Sequence, residues 1–196
     1  MRTQILSTLL VSSSLLLAPV AQAAVPSSTS VSDPAADQTH GTLWNKYPAL
    51  RPQADLRRAV FAVENTRQTL RMTWTFAASP GAARVYQTPA MSATLGGKTI
   101  TFSAWRRDNG KTYTAAFSSG SSGAYIGYCA RKMTVAVNKT AKTVTMRVPI
   151  SCLPAGRVLD NPYPSSYLTV LKSGSEVVEG TVGSDSQYAA PDLVLR

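Results

Sequence analysis

Two runs of alternating apolar residues most constrain this chain. Met133, Val135 and Val137 precede a polar turn at Asn138–Thr143, and Val144, Met146 and Val148 follow it. Period-two alternation is the signature of a strand with one buried face. With Val137 opposite Val144, Val135 opposite Met146 and Met133 opposite Val148, both apolar sets share a face. The same register sets Cys129 opposite Cys152 at the open end of the hairpin. Opposed Cβ atoms stand about 4.5–5.5 Å apart, near the reach of a disulfide, so a Cys129–Cys152 bond is expected.

Other segments repeat the pattern. Ala59, Phe61 and Val63 alternate, as do Leu70, Met72, Trp74 and Phe76, which pairs Phe61 with Met72 and Val63 with Leu70. Asp108-Asn109-Gly110 is a strong turn signal. It implies a hairpin pairing Ile100 with Phe117, Phe102 with Ala115 and Ala104 with Tyr113. A strand over Ala90–Leu95 precedes it through Gly96-Gly97, and two more are expected near Tyr167–Leu171 and Glu176–Val182. Short strands punctuated by Gly, Pro and Ser imply an all-β fold, a single antiparallel β-sandwich or jelly roll. The domain is expected over residues 54–196, after a polar, partly disordered lead-in at 24–53.

Residues 1–23 read as a cleaved signal peptide. Arg2 supplies the basic start, an apolar stretch follows, and Ala21-Gln22-Ala23 is a small-x-small cleavage site. A secreted product follows, with no stable membrane insertion. Of 20 Lys and Arg against 10 Asp and Glu, only Arg2 leaves with the signal. The basic excess favours anionic partners such as wall polymers or acidic glycans. Its residues are scattered, with no tract dense enough for specific nucleic-acid binding.

Catalytic constellations are missing from the sequence. The single histidine, His40, lies in the polar lead-in, where a triad has no support. Both cysteines are expected to be paired, and the few carboxylates fall mostly in turns. A non-catalytic protein is therefore expected. Asp33, Asp37 and Asp55 form the one acidic grouping. Oxygen ligands at a strand entrance suit calcium, although an Asp-Pro turn explains the same residues. Asn138-Lys139-Thr140 matches a glycosylation acceptor, and Asn in a turn needs no such role.

The register of the second hairpin sends Ile100, Phe102 and Ala104 inward and Trp105 outward. Trp105 then stands opposite Thr112, with Ser103 and Thr114 along the same face and Arg106 and Arg107 opening the turn. An indole beside hydroxyls suits a sugar ring, and the arginines suit an acidic substituent. Alternatively, Trp105 is core, covered by a second sheet or by Trp44 and Tyr47 of the lead-in.

Three features also carry a resemblance. They are the Asp33-x-x-x-Asp37 entrance, Pro52-Gln53-Ala54-Asp55-Leu56 opening the first long strand, and Val148-Pro149-Ile150-Ser151-Cys152-Leu153-Pro154 closing a hairpin. Across Asp33 to Leu171 the layout resembles a broad group of secreted bacterial β-sandwich proteins of uncharacterised function. That group is similar in outline to DOMON-like and calcium-containing carbohydrate-binding modules. The resemblance implies an extracellular binding module. It departs at Ala36, where the group often has glycine. A glycan-binding module is the leading expectation, then a basic protein-binding or inhibitor module, then a secreted hydrolase.

Overall fold

The computed structural model describes residues 27–80, 85–106, 113–119, 124–125, 132–171, 178–186 and 189–195. It is a sandwich of two antiparallel sheets. The first sheet runs β1 (Ser28–Ser32), β3 (Leu56–Glu64), β4 (Thr69–Phe76), β10 (Thr143–Pro149), β9 (Thr134–Asn138). The second runs β2 (Thr39–His40), β12 (Val178–Ser186), β11 (Val158–Leu171), β5 (Val85–Leu95), β6 (Lys98–Arg106), β7 (Tyr113–Ser119), β8 (Ala124–Tyr125), with β13 (Leu193–Val194) also on β11. The segment expected as a lead-in thus gives one strand to each sheet. It also forms a single helical turn, α1 (Arg51–Ala54). The expected signal peptide lies outside the described residues. Among those residues, no helix is long and apolar enough to cross a membrane.

The inward faces follow the alternation. Phe61, Leu70, Met72, Trp74, Val144 and Met146 from one sheet meet Met91, Leu95, Ile100 and Phe102 from the other, all fully buried. Trp74 also donates its Nε1–H to the Ala90 carbonyl across the sandwich at 3.1 Å, so its one polar atom is satisfied. Phe61 pairs with Met72 and Val63 with Leu70, and Val137 pairs with Val144 and Val135 with Met146, as the sequence implies. Both hairpins turn through four residues and end on a left-handed residue, Gln68 (φ 49°) or Lys142 (φ 57°). At the second turn Asn138 Oδ1 accepts the Ala141 N–H at 2.9 Å, a conformational role for that asparagine.

The second hairpin is slipped by two residues from expectation. Ile100 pairs with Ser119, Phe102 with Phe117 and Ala104 with Ala115. A two-residue slip keeps every side chain on its own face, so the apolar pattern is blind to it; the length of the turn decides. Ile100, Phe102 and Ala104 are buried as expected.

Strands β5 and β11 begin earlier than expected because they run through prolines. Pairing of β5 with β6 stops at Ala90, beside Pro89, and pairing of β11 with β12 stops at Ser165, beside Pro164. Each proline sits where one neighbour has ended and no ladder N–H is required. Strand β12 lies at Val178–Ser186, later than expected. The Gly96-Gly97 turn holds as read, with φ of 56° and 75°. A Cβ on Gly96 would run into the Ala155 carbonyl.

Trp44 and Tyr47 do not cover the face that carries Ser103. With Leu43 and Leu50 they pack on a second cluster of Ala54, Val85, Leu168 and Val170. Trp44 lies between His40, stacked at 4.0 Å, and the Arg51 guanidinium, 4.7 Å from its ring centre. Glycines in β12 admit this segment: a Cβ on Gly180 would meet Leu43 at 2.8 Å, and one on Gly183 would meet Trp44 at 3.1 Å.

Candidate functional site

Two sites stand out, one on a sheet face and one at a corner. On the outward face of the second sheet, most of the described residues of β11, β5 and β6 are polar or aromatic, Ala90 being an exception. Strand β11 presents Tyr163, Ser165, Tyr167 and Thr169; β5 presents Tyr86, Thr88, Ser92 and Thr94; β6 presents Thr99, Thr101 and Ser103. Among the described residues, Tyr163 and Tyr167 are the large apolar groups left exposed, at 40% and 50%. Four residues along a strand separate them by about 13 Å. Register sets Tyr163 beside Ser92, and Tyr167 between Thr88 and Ser184. Ser92 and Thr101 share a hydroxyl hydrogen bond at 3.0 Å, which carries the polar surface from β5 to β6.

The sequence-derived platform falls partly on this face. Ser103 is half-buried there, paired with Ala90. Trp105 pairs with Thr114, not with Thr112 as expected, and Arg106 pairs with Tyr113; the two-residue slip is the cause. Arg107 and Thr112 lie outside the described residues. Tyr163 was missed because Pro162 and Pro164 interrupt the alternation that contains it, and Tyr167, which opens an expected strand, was not singled out as a site residue. Their every-second-residue spacing with Ser165 and Thr169 was the available signal.

The corner site is acidic. Asp33 and Asp37 lie between β1 and β2, Asp55 lies between α1 and β3, and Asp185 lies on β12 facing inward. One carboxylate oxygen from each of the four lies within 4.8 Å of the others. The three aspartates picked from the sequence therefore converge, joined by Asp185. That fourth residue was missed because the last strand was placed too early to contain it. Ala36, just before Asp37, is left-handed at φ 62°, a conformation that glycine adopts without steric cost.

Backbone contacts hold the corner. The Asp33 N–H donates to the Arg57 carbonyl at 3.0 Å, and the Leu56 N–H donates to Asp185 Oδ2 at 2.8 Å. Arg57 Nε meets Asp55 Oδ2 at 3.2 Å. Asp55 Oδ1 and Asp33 Oδ2 are buried without a hydrogen-bond partner. Burial, followed by the charges of Asp185 and Asp37, pushes the Asp33 carboxyl up to about 7. Asp55 and Asp185 are also raised, chiefly by burial, with Arg57 opposing the shift at Asp55 and the Leu56 N–H opposing it at Asp185.

Of the expected Cys129–Cys152 pair, Cys129 lies outside the described residues. Cys152 is buried in a 3-10 turn, Ile150–Cys152, just past the end of β10. Comparison of the chain with protein-family models, with curated proteins and with solved structures finds no match.

Proposed function

We propose that this chain is a secreted, non-catalytic β-sandwich module that binds glycan on the outward face of its second sheet. The carrying observation is the exposed pair Tyr163 and Tyr167 set among serine and threonine hydroxyls. A phenol ring offers a flat apolar surface with a polar tip, and the apolar face of a sugar ring stacks on such a surface. Flanking hydroxyls both donate and accept, as sugar hydroxyls do. The basic excess of the chain adds attraction for acidic polymers such as those of a cell envelope. Export and a Cys129–Cys152 disulfide belong to the same reading, since disulfides persist in oxidising compartments.

The test is retention on a panel of immobilised neutral and acidic polysaccharides. Tyr163→Ala and Tyr167→Ala should each weaken retention about tenfold, while the melting temperature moves by no more than a degree or two, as expected for exposed positions. Retention unchanged in the double variant would remove the tyrosine face as the binding surface.

A further inference from the structure

We propose that Asp33, Asp37, Asp55 and Asp185 form a binding site for one calcium ion. Calcium takes six to eight oxygens at about 2.3–2.6 Å, so oxygens on opposite sides of the ion stand about 4.6–5.2 Å apart. Four aspartate oxygens within 4.8 Å of one another fit around one such ion. The cluster has no histidine or cysteine, which sets it apart from zinc sites. Magnesium demands a tighter octahedral shell near 2.0–2.1 Å and gives up its waters reluctantly.

The independent observation is Asp55. Its side chain is 6% exposed, and Arg57 engages Oδ2 alone. The other oxygen, Oδ1, is buried with no donor. A buried carboxylate oxygen without a donor or cation is costly, and a second stands nearby at Asp33 Oδ2. One guanidinium does not balance four carboxylates, whereas a divalent ion added to it nearly does. Asp37, which is exposed, leaves a side open to water ligands.

The ligands come from distant parts of the chain. Two lie on the segment between β1 and β2, one at the entry to β3, and one on β12. The ion would fasten that segment to both sheets at once.

The test uses the full mature chain freed of metal by a chelator and then titrated with calcium or magnesium chloride alone. Calorimetry should give one calcium per chain at millimolar affinity or better. At a hundredfold excess over Kd, calcium should raise the melting temperature by about 5–10 °C above that in chelator. Magnesium should raise it less. Asp37→Asn changes an exposed side chain and should still fold. It should bind calcium at least tenfold more weakly, yet melt higher than the unaltered chain in chelator, because one repelling charge is gone. Asp160→Asn, outside the cluster, should match the unaltered chain. No binding heat and no shift in millimolar calcium, or equal affinity in Asp37→Asn, overturns the site; equal stabilisation by magnesium overturns the choice of ion.

Discussion

Glu64 and the aspartate corner are two carboxylate environments in one sandwich, with opposite charge balance. Glu64 lies between two guanidiniums: Arg71 Nε is 3.0 Å from Oε1 and Arg147 Nε is 2.9 Å from Oε2. The Thr69 hydroxyl adds a bond at 3.1 Å. Burial alone would raise this carboxyl. The hydrogen bonds from Arg147 and Thr69, and then the arginine charges, outweigh it and hold the group below its ordinary range. At the corner, four carboxylates share one ion pair among the described residues, that of Asp55 with Arg57, and three of them are raised. The difference teaches what each arrangement is for. Glu64 is satisfied by the protein itself and needs nothing more. The corner keeps two buried carboxylate oxygens, on Asp33 and Asp55, without a hydrogen-bond partner, and the proposed calcium ion would complete it.

Substitutions can break or sharpen this contrast. The largest effect is expected at Asp185, whose carboxylate both accepts the Leu56 N–H and repels its neighbours. Asp185→Ala strands that buried N–H and should cost about 1–3 kcal/mol. Asp185→Asn keeps an acceptor while removing the charge, so in chelator it should be at least as stable as the unaltered chain. Urea unfolding of both variants reads the difference. If the two lose stability equally, repulsion at the corner is not significant.

A smaller effect is expected from Glu64→Gln, about 1 kcal/mol, since its ion pairs are partly exposed and screened. The sign with pH follows from the lowered carboxyl. Its contribution is fully present above the unfolded carboxylate value near 4.5 and is lost as pH falls through the lower folded value. The stability gap between the unaltered chain and Glu64→Gln should therefore close in acid; a gap that widens there would contradict the arrangement. The smallest effect is a gain. Ala36→Gly should relieve the left-handed backbone at φ 62° and stabilise by about 0.5–1 kcal/mol. It should also leave the corner aspartates in place, so calcium affinity should be unchanged or slightly improved.

What was legible in the sequence follows the reach of each physical signal. Hairpins β3–β4 and β9–β10 could be placed to the residue because two apolar alternations face each other across short turns. Parity alone was available for β6–β7, and parity does not distinguish a register from one slipped by two. Pro162 and Pro164 hid the first half of β11, and with it Tyr163 on the exposed face. Three corner aspartates were visible from their residue type and position. Asp185 was not, because its role depends on β12 pairing with β11 and carrying it beside Leu56, a partner 129 residues away in the chain. Contacts that distant leave no local pattern.

That separation has a kinetic consequence. A chain made from its N-terminus carries Asp33, Asp37 and Asp55 long before Asp185, and closing so long a loop is among the slow events of folding. On that argument the corner should be completed late in folding. Contacts absent from the transition state change the rate of unfolding far more than the rate of folding. An ion held at this corner would act as a brake on opening: the sandwich would assemble at nearly the same speed with or without it, and come apart much more slowly once it had bound.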